Sequence, residues 1–322
     1  MMLCLSERDL IQAASRKEIV DVVEKSLRIY EEKRFFMPDR MHIDYGGDTL
    51  LLMPCFASGC LGTKLVTLFP GNAGKNLPVL NGVMILNDGK TGEPLALLNG
   101  SALTALRTGA VGAAGINLTT PENASVLGVI GAGVQGHSQA VTACTQRNFQ
   151  TIWIHDLISE KIRALKLKLE ASLPGVDILI ASSAAELVKN AGVVITATPA
   201  TEPVIPDDPG LTAGKNFIGI GSYKPEMREF PRAVYTQIKK LYIDTDYALE
   251  ESGDVIAPLE KGWIRPEQVM TLGKRLTGKA PAPEPGETTV FKSVGMALFD
   301  LIVSAFLYRK AKEQGLGQEA AL

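Results

Sequence analysis

Three basic residues stand in surroundings that do not suit a charge. Lys64 lies in Gly62-Thr63-Lys64-Leu65-Val66, Arg107 in Leu103-Thr104-Ala105-Leu106-Arg107-Thr108-Gly109, and Arg40 closes Met37-Pro38-Asp39-Arg40. Lys64 falls inside an apolar run that reads as a strand. Arg107 falls on a helix whose Gly109, Gly112, Ala113 and Ala114 let another backbone approach closely. A buried cation needs an anion. A carboxylate substrate or a phosphate would supply it from outside, and a protein acid at the surface or a domain boundary would supply it from inside; each residue by itself is open to both readings. Arg offers a planar fork that suits oxyanions, and Lys a point charge whose pKa can be moved.

A second constellation is Val129-Ile130-Gly131-Ala132-Gly133-Val134-Gln135-Gly136. An apolar run feeds the glycines and a helical pattern follows. In that context Gly131 permits a tight turn, Gly133 lets a pyrophosphate approach the backbone, and Gly136 lets helix and strand pack closely, with the phosphates facing the helix N-terminus. Asp156 closes the next apolar run, where a carboxylate accepts hydrogen bonds from ribose hydroxyls and repels a 2'-phosphate. The combination predicts a dinucleotide site that favours NAD over NADP. Taken singly, the glycines also fit an ordinary tight turn, and Asp156 a solvated strand-end acid.

Other chemistries find little support. Cys4, Cys55, Cys60 and Cys144 form no CxxC pair, and His42, His137 and His155 have no HxxH or HExxH spacing, so disulfide staples and a dedicated zinc site are not expected. There is no GxSxG elbow. A net charge of -2 over the 322 residues argues against nucleic acid or an anionic membrane surface as partner, and 46% hydrophobic against 21% charged residues argues for a folded chain. Glu7, Arg8 and Asp9 interrupt the start, and Asp300 interrupts the most apolar late stretch, so the sequence reads as soluble and cytoplasmic.

The elements that must position these residues are legible in outline. Ser15 and Glu18 form a capping box for a helix carrying Ile19, Val22, Val23, Leu27 and Tyr30 on one face, ending near Arg34. Short runs at 50–53, 64–68, 83–86 and 95–98 read as strands of a mixed or antiparallel sheet, followed by a buried helix over about 102–116. From Ser125 strands and helices alternate, with strand-like runs at 126–130, 152–154, 178–180, 193–197, 217–220 and 241–243. That pattern predicts a Rossmann-type, doubly wound parallel sheet of the α/β class. One helix covers 159–171, and a second capping box, Ser183 with Glu186, opens another. The Pro-rich bend at 280–286 precedes a last helix capped by Thr288 or Thr289 and running through Arg309, which is expected to return to the first domain.

Seven segments together resemble the ornithine cyclodeaminase and mu-crystallin family. They are MPDR (37–40), GTKLVTLFPGN (62–72), LNDGKTGEPLALLNG (86–100), LTALRTGA (103–110), GAGVQGHSQ (131–139), ESGDV (251–255) and FKSVGMALFD (291–300). The resemblance implies a homodimer. It implies an α+β substrate-binding and dimerisation domain from residues 1–117 and 294–322, with an inserted NAD-binding domain at 118–293. It further implies that Arg40 and Lys64 handle the substrate carboxylate, with Lys64 also transferring a proton. Arg107, Gln135, Asp156, Thr198 and Ser293 would contact the dinucleotide beside Gly131, Gly133, Val134 and Gly136, and Val294 would line the substrate pocket. Where cyclodeaminases of the family place an Asp at the substrate amine, this chain has Tyr223. A phenol is a poor base at neutral pH, although Tyr223 is equally readable as a packing residue. The expected activity is therefore oxidoreduction at the alpha carbon of an amino acid or its imine, as in ketimine reductases or alanine dehydrogenase. The alternatives are ornithine cyclodeamination to proline with ammonia release and a non-catalytic, crystallin-like ligand-binding role.

Overall fold

After strand β1 (Met2–Leu5) come α1 (Glu7–Ala13), where Ser6 and Asp9 cap each other reciprocally, and α2 (Arg16–Glu31), where Ser15 and Glu18 do the same. The sequence pattern points to only the second of these. Seven residues are too few for helical periodicity to show. Helix α2 also stops short of Arg34, because Lys33 turns left-handed at φ 54°. Strands β2 (Phe35–Phe36), β3 (Met41–Tyr45), β4 (Asp48–Ala57), β5 (Cys60–Leu68), β6 (Leu80–Asp88) and β7 (Pro94–Asn99) follow, and then α3 (Gly100–Thr119). Ser58 and Gly59, both at positive φ (53° and 74°), make the two-residue turn between β4 and β5.

The next segment supplies a second sheet, from β8 (Val126–Ile130), β9 (Thr151–His155), β10 (Asp177–Ile180), β11 (Val193–Thr196), β12 (Asn216–Gly219), β13 (Leu241–Ile243), β14 (Val269–Thr271) and β15 (Thr289–Lys292). Helices α4 (Val134–Ala143), α5 (Ser159–Ser172) and α6 (Ala184–Asn190), with the short α7 (Pro209–Thr212), α8 (Arg232–Tyr235), α9 (Ala248–Glu251), α10 (Gly253–Glu260) and α11 (Gly273–Leu276), fill the connections. Helix α12 (Ala297–Glu313) and strand β16 (Gln318–Ala320) complete the chain.

This computed structural model describes residues 1–75 and 77–321. They form two units, Met1–Arg107 with Met296–Leu322, and Thr108–Gly295. The first holds an eight-stranded mixed sheet in the order β16-β1-β7-β6-β5-β4-β2, with β3 paired to β4. On its inner face Met53, Lys64 and Met84 lie side by side in register and are buried, and α12 packs against β4, β5, α1 and α2. The opposite face is apolar yet open: Phe36, Met41, Ile43, Phe56 and Ile85 are 66%, 54%, 44%, 47% and 40% exposed.

The second unit holds the eight parallel strands in the order β10-β9-β8-β11-β12-β15-β13-β14. Two strands lie beyond the six read from sequence. Thr289–Lys292 is strand β15 and not the start of the last helix, which begins at Ala297 after Met296 with no side-chain cap. The threonines that look like a cap begin a β-branched and aromatic run that is fully buried between β12 and β13. At α6, Ser183 does cap the Glu186 N–H, but the Glu186 carboxylate returns to the backbone and hydroxyl of Ser182, so the box is shared between two serines. Among the described residues no helix is long and apolar enough to cross a membrane.

The division between the units falls inside α3, at Arg107. Its later turns are anchored in the second unit by glycines: a Cβ on Gly109 would lie 2.6 Å from the Ser138 hydroxyl, and one on Gly115 would lie 2.2 Å from the Phe291 ring. Replacing a helical Gly by Ala ordinarily gains about 1 kcal/mol. At Gly115 the clash with a fully buried ring should outweigh that gain, so Gly115→Ala is expected to destabilise by about 1–3 kcal/mol net, read as a lower urea midpoint at unchanged m-value.

Candidate functional site

In the first unit the pleat of β5 turns Lys64 inward, where it is 1% exposed. An ammonium there requires a partner, and Asp300 on α12 provides it. Lys64 Nζ donates to Asp300 Oδ2 at 2.8 Å, and Arg107 Nε, from α3, donates to Asp300 Oδ1 at 3.1 Å. Asp300 is wholly buried and Arg107 only 7% exposed. Two cations against one carboxylate leave the cluster with an excess positive charge, to which half-buried Arg40 adds its field. Burial pushes the Lys64 ammonium down; Asp300 pulls it back up, Arg107 and Arg40 push it down again, and it settles at about 8. For Asp300 burial acts upward, but the two neighbouring cations prevail and hold it below the ordinary carboxylate range. A lysine near 8 can carry a proton close to neutrality, and an excess buried positive charge favours an anionic ligand. Nearby Cys55 is pushed up to about 12 by burial and the Asp300 charge, so its thiol stays protonated.

In the second unit β8 delivers Gly131 at φ +110°, a conformation L side chains avoid, and a Cβ there would also meet the Ala197 carbonyl oxygen at 2.6 Å. At Gly136 a Cβ would come within 2.0 Å of the Gly131 carbonyl oxygen, so strand and helix touch backbone to backbone. Gly133 is different: a Cβ there would meet nothing within 4 Å, and α4 begins at this point with no side-chain cap. The open ground beside uncapped N–H groups is what a pyrophosphate needs. Val134 is 73% exposed at the first helical position, and Gln135 Oε1 is buried without a hydrogen-bond partner among the described residues. Asp156 follows β9 and is fixed by the N–H groups of Ala132 (2.7 Å) and Ile158 (2.9 Å). The residues present therefore fit a dinucleotide.

The remaining candidates are placed as follows. The Thr198 hydroxyl donates to Glu229 Oε1 at 2.8 Å and the Ser293 hydroxyl to Asp244 Oδ2 at 2.7 Å. Tyr223 is half-buried in the loop after β12. Val294 is 9% exposed and packs in the second unit's core, its N–H directed at Asp244. Sequence reasoning overlooked Asp300, Glu229 and Asp244 as site residues. For Asp300 the signal was an acid inside an otherwise apolar helix.

The family model "Ornithine cyclodeaminase/mu-crystallin family" matches residues 2–315. A Delta(1)-pyrroline-2-carboxylate reductase of Bacillus cereus is 32% identical over 98% of this chain and 99% of its own length. Among solved structures, Thermococcus litoralis Delta(1)-pyrroline-2-carboxylate reductase in complex with NADH and L-proline superposes with TM-score 0.92 at 31% identity, over 99% of this chain and 100% of that one. An archaeal alanine dehydrogenase dimer with bound NAD superposes with TM-score 0.90 at 25% identity, over 99% of each chain.

Removing the shared carboxylate should expose how much the cation cluster depends on it. Asp300→Asn leaves two buried cations without a counter-charge and is expected to destabilise by about 3–5 kcal/mol. Lys64→Met/Asp300→Leu, which removes a charge of each sign, should be markedly more stable than Asp300→Asn. Urea unfolding of the wild type and the two variants makes the comparison.

Proposed function

This chain belongs to the ornithine cyclodeaminase/mu-crystallin family, and on that premise we propose that it is an NAD-dependent reductase of a small cyclic imino acid, with Delta(1)-pyrroline-2-carboxylate the expected substrate and proline the product. The observation that carries the reading is the buried Lys64–Asp300–Arg107 cluster with its surplus positive charge. It is supported by relatives whose names give that reaction. We assign carboxylate handling and dimerisation to the first unit and dinucleotide binding to the second, in a cytoplasmic protein.

When bound, the dinucleotide supplies hydride to the C=N carbon. Gly131, Gly133, Val134, Gln135 and Gly136 receive its pyrophosphate, Asp156 its adenosine ribose, and Arg107, Thr198 and Ser293 complete its contacts. The preference is for NAD, because a 2'-phosphate would face the Asp156 charge. Arg40 and Lys64 hold the substrate carboxylate and so fix which carbon can accept hydride. Lys64 gives a proton to the ring nitrogen, so that hydride and proton together convert C=N to CH–NH. Expulsion of ammonia from ornithine lies outside this scheme, since Tyr223 stands where a carboxylate would manage those extra protons.

The open apolar face of the first unit's sheet supports a homodimer. The Phe36 and Phe56 rings lie 6.1 Å apart between centroids, tilted by 59°, and the patch continues through Met41, Ile43 and Ile85. A second copy presenting the same face would cover it, and the similar archaeal alanine dehydrogenase is a dimer.

The direct test is NADH oxidation with Delta(1)-pyrroline-2-carboxylate, with L-proline identified as product. Lys64→Ala and Arg40→Ala should each lose about 1.5–3 kcal/mol of transition-state stabilisation, roughly 10- to 150-fold in kcat/KM, while still binding NADH. Stoichiometric ammonia and proline from ornithine would overturn the assignment. Because Lys64 must be protonated to donate, reduction should fall as pH rises through about 8, and proline oxidation should rise over the same range. A kcat/KM profile flat from pH 7 to pH 9 would remove Lys64 from the proton transfer.

The dimer is tested by light scattering on the wild type and on Phe56→Glu/Ile85→Glu. The variant is expected near the 34.5 kDa of one chain and the wild type at twice that mass. A monomeric wild type would sink the proposal.

A further inference from the structure

The second unit buries three carboxylates and one lysine completely: Glu229, Asp244, Asp254 and Lys292. Three carboxylates thus share one lysine. Each carboxylate clamps backbone at or near the C-terminal ends of the parallel strands. Glu229 accepts the Thr198 N–H and hydroxyl at Oε1 and the Gly221 N–H at Oε2, all at 2.8 Å, joining the segments after β11 and β12. Asp244, next after β13, holds the turn after β15 through the Ser293 hydroxyl (2.7 Å), the Gly295 N–H (2.8 Å) and the Val294 N–H (3.3 Å). Asp254, in the first turn of α10, accepts the N–H groups of Glu229 (2.9 Å) and Phe230 (3.0 Å) at Oδ1.

Lys292 is the last residue of β15, in register with Gly219 of β12 and Ile243 of β13. Its side chain passes over Gly219, where a Cβ would meet Lys292 Cδ at 3.2 Å. Among the described residues its Nζ has no hydrogen-bond partner; it stands 3.8 Å from Asp254 Oδ2, which has none either. Burial pushes the Lys292 ammonium down, and Asp254, Glu229 and Asp244 all act to retain its proton. Asp254 is pushed up to about 6 by burial, against the pull of Lys292.

In open parallel sheets a dinucleotide lies across the carboxyl ends of the strands, with one mononucleotide on each half. Gly131 and Asp156 belong to the β8–β10 half, whereas Thr198, Gly221 and Ser293 follow β11, β12 and β15 of the other half. We propose that Lys292 is a positioning residue for the nicotinamide half of the dinucleotide: its ammonium offsets the buried charge of Asp254, whose Oδ1 holds the Glu229 backbone, and so keeps the Glu229 carboxylate clamping the segments at Thr198 and Gly221. It touches no substrate or cofactor atom itself. The proposal rests on the dinucleotide reading above and adds that the two halves of that site are built by separable means.

The experiment compares binding of NADH with that of ADP-ribose, which lacks the nicotinamide, by calorimetry on the full chain. Lys292→Met is expected to weaken NADH by about tenfold or more while leaving ADP-ribose within about threefold of wild type. Lys292→Met/Asp254→Asn, which removes one charge of each sign, should bring the ratio of the two affinities back to within about threefold of wild type. An unchanged ratio in Lys292→Met would overturn the proposal, as would equal weakening of both ligands that the second substitution does not repair. If Lys292→Met does not fold, a folded double variant with a near-normal ratio supports the charge pairing of Lys292 with Asp254, and a double variant that also fails to fold overturns it. Wild-type protein that binds neither ligand would overturn the dinucleotide reading itself, and the proposal with it.

Discussion

Asp300 has no exposure to water, and it is held there by Lys64 from the middle of β5 and Arg107 from α3. Much of the first unit follows from that arrangement. A lone buried carboxylate would be costly, and so would either cation alone; together they are tolerable only if all three elements keep their places. Because Asp300 sits on the helix at the far end of the chain, the cluster ties residues 297–313 to the sheet built by the first hundred residues. The same count of charges leaves the buried cluster with a positive surplus.

Register makes the cluster possible. Met53, Lys64 and Met84 share the inner face of the sheet, while Phe36, Phe56 and Ile85 share the outer one. Side chains alternate with period two, so a slip of one residue in β5 would place Lys64 outside and break both faces at once. The apolar outer face and the buried cation are therefore two consequences of one strand alignment.

The second unit applies a related principle to different ends. Its glycine turn depends on the absence of side chains: Gly131 and Gly136 bring backbone against backbone, and Gly133 leaves room above α4. Its other strand ends depend on buried carboxylates that accept two or three backbone or hydroxyl donors each. Open space is left beside the helix N-terminus on one half, and fixed loops shape the other.

Local and periodic features were readable in the sequence alone. The capping box at Ser15, the short apolar runs within β4 to β7, the glycine turn with Asp156, and the misplaced charges of Lys64 and Arg107 all depend on neighbours within a few residues. The family motifs then extended that reading to a function. Helix α1 was too short to show a period, and β15 was concealed because Thr288 and Thr289 look the same whether they cap a helix or begin a buried strand. What the sequence determined by itself was that cations stand among apolar neighbours and that a glycine turn joins a strand to a helix. Which acid answers which base was decided only by tertiary structure. Asp300 and Lys64 are 236 positions apart and Asp244 and Ser293 are 49 apart, and ion pairing depends on distance in space, which strand register and helix packing set and no local pattern encodes.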